Sequence, residues 1–212
     1  AEYLGIDMNE RPITSLPMSY SYGLSVINSH ILKGSGIICS NDTIMQKAFW
    51  NTFRENECTS FAGVPYSYEM LLRLRFGSMS LPSLKTMTQA GGKLSKENII
   101  KFYEIAKSKG FRFIVMYGAT EATARIAWVP WDKQPEKAGS AGKAIPGGTI
   151  EILSGDGAAL PPDSQGEVAY KGPNVMLGYA ECRQDLSKGD ESGGILMTGD
   201  IGYLDRDGFL YI

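Results

Sequence analysis

The feature that most constrains the fold is a succession of two strand-like segments, the second of them almost continuously apolar, with a helical segment between them. Residues 84–90 and 111–117 each have the length and composition of one buried strand. Between them, Ser95 is a favourable helix N-cap, apolar residues such as Phe102 recur at helical spacing, and Gly110 can end the helix in a left-handed conformation. Two strands joined by such a helix form a βαβ unit, which requires a parallel sheet covered by helices.

The chain as a whole divides near residue 130. Residues 1–130 alternate short apolar runs with helical patterns, which predicts a parallel α/β subdomain. Residues 131–212 begin with a polar stretch and continue as short strands separated by turn signals, of which Asp-Arg-Asp-Gly at 205–208 is among the strongest. We therefore predict an α/β fold: a parallel sheet covered by helices, followed by a small antiparallel β-subdomain that forms a partial barrel.

Finer boundaries follow from the same patterns. The first part is predicted to hold a helix at residues 22–33, a strand at 36–39, a helix capped by Asn41 or Asp42, and a strand at 59–64 after which Pro65 marks a turn. The second part is predicted to hold strands at residues 149–153, 167–171, 196–198, 202–204 and 209–212, and an exposed loop at 185–194.

Composition and charge exclude several classes of function. Across 212 residues the net charge is −2 and no basic block is present, so we expect neither nucleic acid nor an anionic membrane as the main partner. No apolar run approaches the ~20 residues that span a bilayer. Three cysteines without a C-x-x-C pair favour a reducing cytoplasm over a disulfide scaffold. His30, the single histidine, is the one candidate base for Ser-His-Asp or Cys-His chemistry, and no G-x-S-x-G elbow accompanies it.

The segment Tyr117-Gly118-Ala119-Thr120-Glu121 ends the better-defined strand and carries candidate chemistry. Ligands of open parallel sheets bind beyond the carboxyl ends of the strands. Gly118 lets a ligand approach the backbone, Thr120 can donate its hydroxyl to a phosphate, and Glu121 offers a carboxylate to Mg²⁺. The ring of Tyr117 offers a face on which a base can stack. The alternative is an ordinary strand-ending turn with an exposed acid.

Two further segments carry the same kind of signal. Gly91 and Gly92 follow the strand at 84–90, and paired glycines expose backbone N–H and C=O groups that can read the edge of an adenine. Asp200 lies in a Thr-Gly-Asp segment, where an ionised carboxylate can accept hydrogen bonds from both hydroxyls of a ribose. The alternatives are a simple turn into the helix for the glycines and a hairpin for Asp200.

In order and spacing, these segments resemble the adenylate-forming superfamily of acyl-CoA synthetases, carrier-protein adenylation domains and luciferases. The matching segments are LPMSYSYGL from Leu16, QAGGKLS from Gln89, YGATE from Tyr117, GEVAYKGPNVMLGY from Gly166, and TGD from Thr198 followed by DRDGFLYI from Asp205. The resemblance spans nearly the whole chain.

The resemblance implies roles for individual residues. Tyr117 would stack on adenine, Gly91 and Gly92 would bracket it, Thr120 would contact the α-phosphate, Glu121 would bind Mg²⁺, and Asp200 would hold the ribose. The implied substrate pocket consists of Tyr20, Tyr22, Val26 and Ala119; the alternative is that aromatic and aliphatic residues at this spacing are plain core. In the implied reaction a small carboxylic acid attacks the α-phosphorus of ATP, and the thiol of CoA or of a carrier-protein phosphopantetheine then displaces AMP. Positioning and neutralisation of phosphate charge dominate such catalysis.

Two segments of the family pattern are missing from this sequence, and their absence bears on its expected activity. The family has a Ser/Thr/Gly-rich loop ending in Pro-Lys before its L-P segment and a mobile C-terminal domain with a catalytic lysine after the point matching Ile212, and this sequence contains neither. We therefore expect an internal fragment of the large N-terminal domain that is inactive alone. Tyr20 stands where the family often has histidine, which weakens inference about the acid.

The sequence also leaves alternative functions open and allows expectations about the acid and about dimerisation. One alternative is a non-enzymatic nucleotide-binding, acyl-binding or interaction module; another is an adenylation domain that loads a carrier protein. The helices of the first part that line the implied pocket show no obvious carboxylate to anchor an ammonium group, which favours an apolar acyl group over an amino acid. Unpaired strand edges predict dimerisation.

Overall fold

The structure, a computed structural model, describes residues 2–212, and these divide into two units. The first unit consists of the described residues up to Met116 together with Val129–Gly139. The second consists of Tyr117–Trp128 and Ser140–Ile212.

The first unit contains four α-helices and the parallel strands. The helices are α1 (Ser21–Ile31), α2 (Lys47–Glu55), α3 (Pro65–Arg73) and α4 (Lys96–Lys109), with short 3-10 turns at Glu2–Leu4, Phe76–Ser78 and Trp131–Lys133. The strands are β1 (Ser60–Gly63), β2 (Thr86–Gln89) and β3 (Arg112–Tyr117), and the last residue of β3, Tyr117, is counted in the second unit. Strand β2 lies between β1 and β3 and is parallel to both, with Gln89 opposite Gly63 on one side and Val115 on the other. The predicted parallel sheet and its βαβ unit are confirmed.

Helix α4 begins and ends where local chemistry specifies. The side chain of Ser95 accepts a hydrogen bond from the backbone N–H of Asn98 at 3.2 Å, which satisfies one of the unpaired donors of the first turn. Gly110 ends the helix at φ 77°, a left-handed conformation in which a Cβ would be strained. Both predicted signals are confirmed.

Helices cover both faces of the parallel sheet. On one face the ring of Tyr68 in α3 packs edge-on against Phe102 of α4, with ring centroids 4.8 Å apart, and lies 5.2 Å from Phe113 of β3. On the other face the hydroxyl of Tyr22 in α1 lies 2.7 Å from the hydroxyl of Thr88 in β2. Phe102 is fully buried, so truncating it to alanine is expected to cost about 3–5 kcal/mol of stability.

The second unit is built of antiparallel strands. Strands β4 (Ala127–Trp128) and β5 (Lys143–Ala144) form a short pair, and β6 (Thr149–Leu153), β7 (Gly166–Lys171), β8 (Ile195–Leu204) and β9 (Leu210–Tyr211) form a four-stranded sheet in that order. Short 3-10 turns lie at Thr120–Ala122 and Arg183–Ser187. Ile152, Val168 and Leu210 form a buried cluster against this sheet. The predicted α/β fold class is therefore confirmed in both parts.

Several boundaries differ from the sequence expectation. Helix α2 begins at Lys47 rather than after Asn41 or Asp42, because a turn precedes it in which the backbone N–H of Thr43 bonds the side-chain oxygen of Gln46. Residues 36–39 do not form a named strand; Ile38 makes one isolated parallel bridge, to Ile13.

Other differences lie around strands. Pro65 does not mark only a turn: it occupies the first turn of α3, where its missing N–H costs no helical hydrogen bond. The two strands predicted at 196–198 and 202–204 are one strand, β8, because Gly199 takes φ 74° and lets the chain pass an irregularity in its pairing with β7. Within the loop predicted at 185–194, Arg183–Ser187 adds a short 3-10 turn. Among the described residues, no helix combines the length and apolarity needed to cross a membrane.

Candidate functional site

The turn after β2 belongs to the first unit and contains the paired glycines. Gly91 and Gly92 take φ values of 75° and 144°, conformations that other residues rarely adopt. The side-chain amide of Gln89, which is buried, donates to the carbonyl of Gly92 at 2.8 Å. A Cβ on Gly91 would lie 2.5 Å from the hydroxyl oxygen of Tyr20, so the structure brings Tyr20 to this turn.

The predicted pocket residues of the first unit do not share one environment. Tyr22 is buried and bonds Thr88, whereas Tyr20 is half-buried and reaches the Gly91 turn. Val26 lines a cavity of about 10 Å³ beside the segment 12–16, which has room for about one water molecule. The substrate-pocket assignment of these residues stays a prediction.

Tyr117 and Asp200 are joined in the second unit. The phenol of Tyr117 donates a hydrogen bond of 2.5 Å to Oδ2 of Asp200. Burial raises the pKa of Tyr117 well above its usual range, and donation to the Asp200 carboxylate raises it further. The backbone N–H of Asp200 donates to the hydroxyl of Thr198 at 3.2 Å, and that hydroxyl donates to the carbonyl of Val168 at 2.8 Å. Asp200 is therefore held at its carboxylate by Tyr117 and at its backbone N–H by Thr198.

The segment that follows Tyr117 is a tight turn. A Cβ on Gly118 would collide with the backbone carbonyl of Ala124, so only glycine fits that position without a shift of the backbone. Ala119 packs against the buried cluster that includes Ala122 and Ile126. Thr120 is exposed, in the short 3-10 turn that also contains Glu121.

The carboxylate of Glu121 accepts a hydrogen bond from the hydroxyl of Tyr179 at 2.8 Å. This donation raises the pKa of Tyr179 above its usual range. Beyond the Gly-Tyr pair that ends the segment 166–179, no pattern in the sequence predicts this contact. Tyr179 is thus a candidate site residue that sequence reasoning missed.

The residues around Glu121 bear on the metal prediction. Within residues 2–212, no three or more His, Cys, Asp or Glu side chains gather into a metal-binding group. Mg²⁺ is commonly held by one or two carboxylates together with substrate phosphates and water, so a lone carboxylate fits that mode and does not fit an all-protein cage. Glu121 is therefore compatible with a metal that arrives with a nucleotide.

Comparison with known proteins assigns the chain to a family. The family model described as AMP-binding enzyme matches residues 1–180. The chain is 30% identical over 210 residues to a 2-succinylbenzoate–CoA ligase of Bacillus subtilis, covering 99% of this chain and 41% of that protein. It is 31% identical over 209 residues to an indoleacetate–CoA ligase of Aromatoleum aromaticum, covering 98% of this chain and 40% of that protein.

Solved structures agree with this assignment. O-succinylbenzoate coenzyme A synthetase (MenE) from Bacillus subtilis in complex with AMP superposes over all of this chain and 42% of its own, with a TM-score of 0.84 and 30% identity. The same enzyme in complex with ATP and magnesium ion gives a TM-score of 0.82 at 30% identity, over 100% of this chain and 42% of its own. The chain spans about two fifths of the length of these relatives. It belongs to the AMP-binding enzyme family, the adenylate-forming superfamily that its motifs resemble.

Proposed function

We propose that this chain is the adenylate-binding part of an ATP-dependent acid–thiol ligase, which activates a carboxylic acid as an acyl-adenylate and transfers it to a thiol. The observation that carries the proposal is the hydrogen bond from Tyr117 to Asp200, which joins an aromatic ring to a carboxylate. Tyr117 itself lies shortly before the turn that contains Thr120 and Glu121. The two relatives named above are CoA ligases, which supports CoA as the thiol.

The proposed roles follow from the chemistry of the side chains. Asp200 accepts from the ribose hydroxyls, and the ring of Tyr117 stacks on the adenine. Thr120, at the exposed start of its turn, donates to the α-phosphate. Glu121 would hold Mg²⁺, which would neutralise phosphate charge during attack at the α-phosphorus of ATP. In the first unit, the backbone of Gly91 and Gly92 reads an adenine edge.

The reaction needs little covalent participation by the protein. The carboxylate of the acid attacks the α-phosphorus, a new P–O bond forms, and the bond to pyrophosphate breaks. The thiol sulfur then attacks the acyl carbonyl carbon, loses its proton to solvent or a base, and AMP leaves. The protein contributes orientation and charge complementarity, which together account for large effects in such reactions.

The finer parts of the proposal concern organisation and substrate. We propose that residues 1–130 carry the adenine site and the acyl pocket, the latter formed by Tyr20, Tyr22, Val26 and Ala119. Residues 131–212 carry the ribose-binding aspartate.

Acids with an aromatic ring are the first to screen, because relatives named for succinylbenzoate and indoleacetate match the chain. We further propose that the chain binds AMP but does not release pyrophosphate from ATP by itself, since it spans about two fifths of its relatives.

Isothermal titration of the chain with AMP and with ATP in Mg²⁺ tests the proposal. Saturable binding of AMP, weakened at least tenfold by Asp200→Ala, is the expected result, since a buried or half-buried hydrogen bond to a charge is worth about 1.5–3 kcal/mol. Glu121→Gln is expected to remove the Mg²⁺ dependence of ATP binding without weakening the binding of adenosine. A folded chain that binds no AMP, or an Asp200→Ala variant that binds as the parent does, contradicts the adenosine-binding role.

A pyrophosphate-release assay separates binding from catalysis. The chain is mixed with ATP, Mg²⁺ and a panel of aryl carboxylic acids, and pyrophosphate is followed with a coupled enzyme. AMP binding with no pyrophosphate release agrees with a part that binds but does not turn over. Acid-dependent release contradicts the proposed inactivity and identifies the substrate in the same experiment.

A further inference from the structure

The turn that carries Thr120 and Glu121 is strained. Thr123 and Ala124, which follow it directly, take φ values of 52° and 73°, and both have a Cβ. Two consecutive left-handed residues that are not glycine cost conformational free energy, and such a conformation persists only where the surroundings over-determine it. Something outside the turn must therefore hold it.

Asn174 supplies that restraint from the segment after β7. Its side-chain NH₂ group donates to the carbonyl of Ala122 at 2.6 Å and to the carbonyl of Arg125 at 2.9 Å, the carbonyls on either side of the strained pair. Its side-chain oxygen accepts from the hydroxyl of Tyr170 at 2.7 Å. Because two donors and one acceptor are all matched, only an amide in this orientation satisfies the three partners.

The backbone of the same segment makes two more contacts with the turn. The hydroxyl of Thr123 donates to the carbonyl of Asn174 at 2.8 Å. The backbone N–H of Met176 donates to the carbonyl of Glu121 at 2.7 Å. Between these two residues, Val175 packs in the buried cluster that includes Ala122. One short segment therefore holds the turn by hydrogen bonds at four positions, namely Glu121, Ala122, Thr123 and Arg125.

We propose that Asn174 is a positioning residue that holds the Thr120–Glu121 turn in the conformation that presents the Thr120 hydroxyl and the Glu121 carboxylate to a bound phosphate. The inference rests on the proposed function, because those two side chains are the proposed phosphate and Mg²⁺ contacts. Asn174 itself touches neither nucleotide nor metal in this scheme. Its effect travels through the carbonyls of Ala122 and Arg125.

The first test measures the turn without any ligand. The backbone N–H of Ala122 bonds the carbonyl of Ala119 at 3.1 Å, so its hydrogen exchange reports whether the turn is closed. Asn174→Ala is expected to speed exchange at Ala122 about tenfold or more, as loss of a supporting hydrogen bond of about 1.4 kcal/mol gives a factor of ten. Adding Ala124→Gly removes the left-handed strain and is expected to restore much of the protection. Unchanged exchange in Asn174→Ala, or failure of the glycine to restore it, overturns the proposal.

The second test measures the contribution of the phosphate to binding. The parent, Asn174→Ala and Asn174→Ala/Ala124→Gly are titrated with adenosine, AMP and ATP in Mg²⁺. Asn174→Ala is expected to weaken AMP and ATP about tenfold while adenosine changes much less, the pattern of a lost supporting contact. The glycine is expected to return part of that loss. Asn51→Ala, at an exposed position of α2, is the matched control and should change nothing.

The outcomes separate the inference from the proposed function. An equal loss for adenosine and AMP overturns a role confined to the phosphate-facing turn. A parent chain that binds neither adenosine nor AMP overturns the proposed function, while the exchange measurement still decides whether Asn174 holds the turn. Circular dichroism of each variant shows that it is folded before either measurement is interpreted.

Discussion

The phenol oxygen of Tyr117 and Oδ2 of Asp200 lie 2.5 Å apart, although 83 residues separate them in the chain. Tyr117 ends β3, and Asp200 lies in the middle of β8. Since burial raises the pKa of Tyr117, the phenol is a neutral donor at ordinary pH and the carboxylate is its acceptor. The bond restrains both the ring that is proposed to face an adenine and the acid that is proposed to bind the ribose.

Tyr117→Phe separates stacking on the adenine from restraint of Asp200, because it keeps the aromatic ring and removes the hydroxyl that donates to Asp200. AMP affinity is expected to fall about tenfold, the effect of losing a charge-assisted hydrogen bond of about 1.5 kcal/mol. In an Asp200→Ala background the same change should have little effect, since the bond is already absent. Titration calorimetry of the four proteins measures the coupling. Tyr66→Phe, at an exposed tyrosine of α3, is the control; equal losses in both backgrounds would show that the two residues act independently.

Gly118→Ala tests the close approach at the start of the turn. The added Cβ would overlap the carbonyl of Ala124, a backbone atom that cannot rotate away. The free energy of unfolding is expected to fall by about 1–3 kcal/mol, the usual cost of forcing an atom into a packed position. Urea unfolding followed by circular dichroism measures it. Gly155→Ala is the matched control, because no atom lies within 4 Å of its Cβ position; similar midpoints for the two variants would contradict the prediction.

The parts of the fold that could be predicted from the sequence are those with local signals. Ser95 and Gly110 mark the ends of α4 because capping and left-handed termination depend on single residues. The apolar run that becomes β3 has no alternative to burial, so its place in a parallel sheet also follows. The start of α2 could not be predicted, because several residues before it are good caps and the choice depends on the turn at Thr43.

The candidate site is only partly visible in the sequence for a related reason. Its residue types can be found by motif, but the bond from Tyr117 to Asp200 and the bonds from Asn174 to Ala122 and Arg125 join positions far apart in the chain. Such pairings depend on how β7 and β8 fold back, which no local pattern specifies. The assigned roles of the site residues therefore stay predictions that binding experiments must test.

Ser95→Ala tests the N-cap of α4. Loss of the hydrogen bond to the N–H of Asn98 is expected to lower the free energy of unfolding by about 1 kcal/mol. Ser95→Asp keeps an acceptor at the same position and adds a favourable charge at the helix N-terminus, so it should retain the stability of the parent. Urea unfolding of the three proteins gives the comparison. An alanine variant as stable as the parent would show that the cap contributes nothing.

The last prediction concerns Asp185 and low pH. Its carboxylate accepts hydrogen bonds from the backbone N–H groups of Cys182 and Glu181, at 3.0 and 2.8 Å, and forms an ion pair with Lys188. The backbone bonds come first among the causes that lower the pKa of Asp185 from 3.8 to about 2. A lowered pKa in the folded chain means that the carboxylate stabilises this turn above pH 3.8 and that the contribution is lost as the pH falls through about 2.

Carbon-detected NMR of the Asp185 carboxyl group measures this directly. The titration midpoint is expected at about 2, and the amide signals of Glu181 and Cys182 should shift with the same midpoint. Lys188→Ala should raise the midpoint only partly, because the two backbone donors remain. Asp185→Asn should abolish the titration of both amides. A midpoint near 3.8 in the parent would mean that neither the backbone donors nor the ion pair lowers the pKa of Asp185. A full return to 3.8 in Lys188→Ala would mean that the ion pair, and not the backbone of the turn, lowers it.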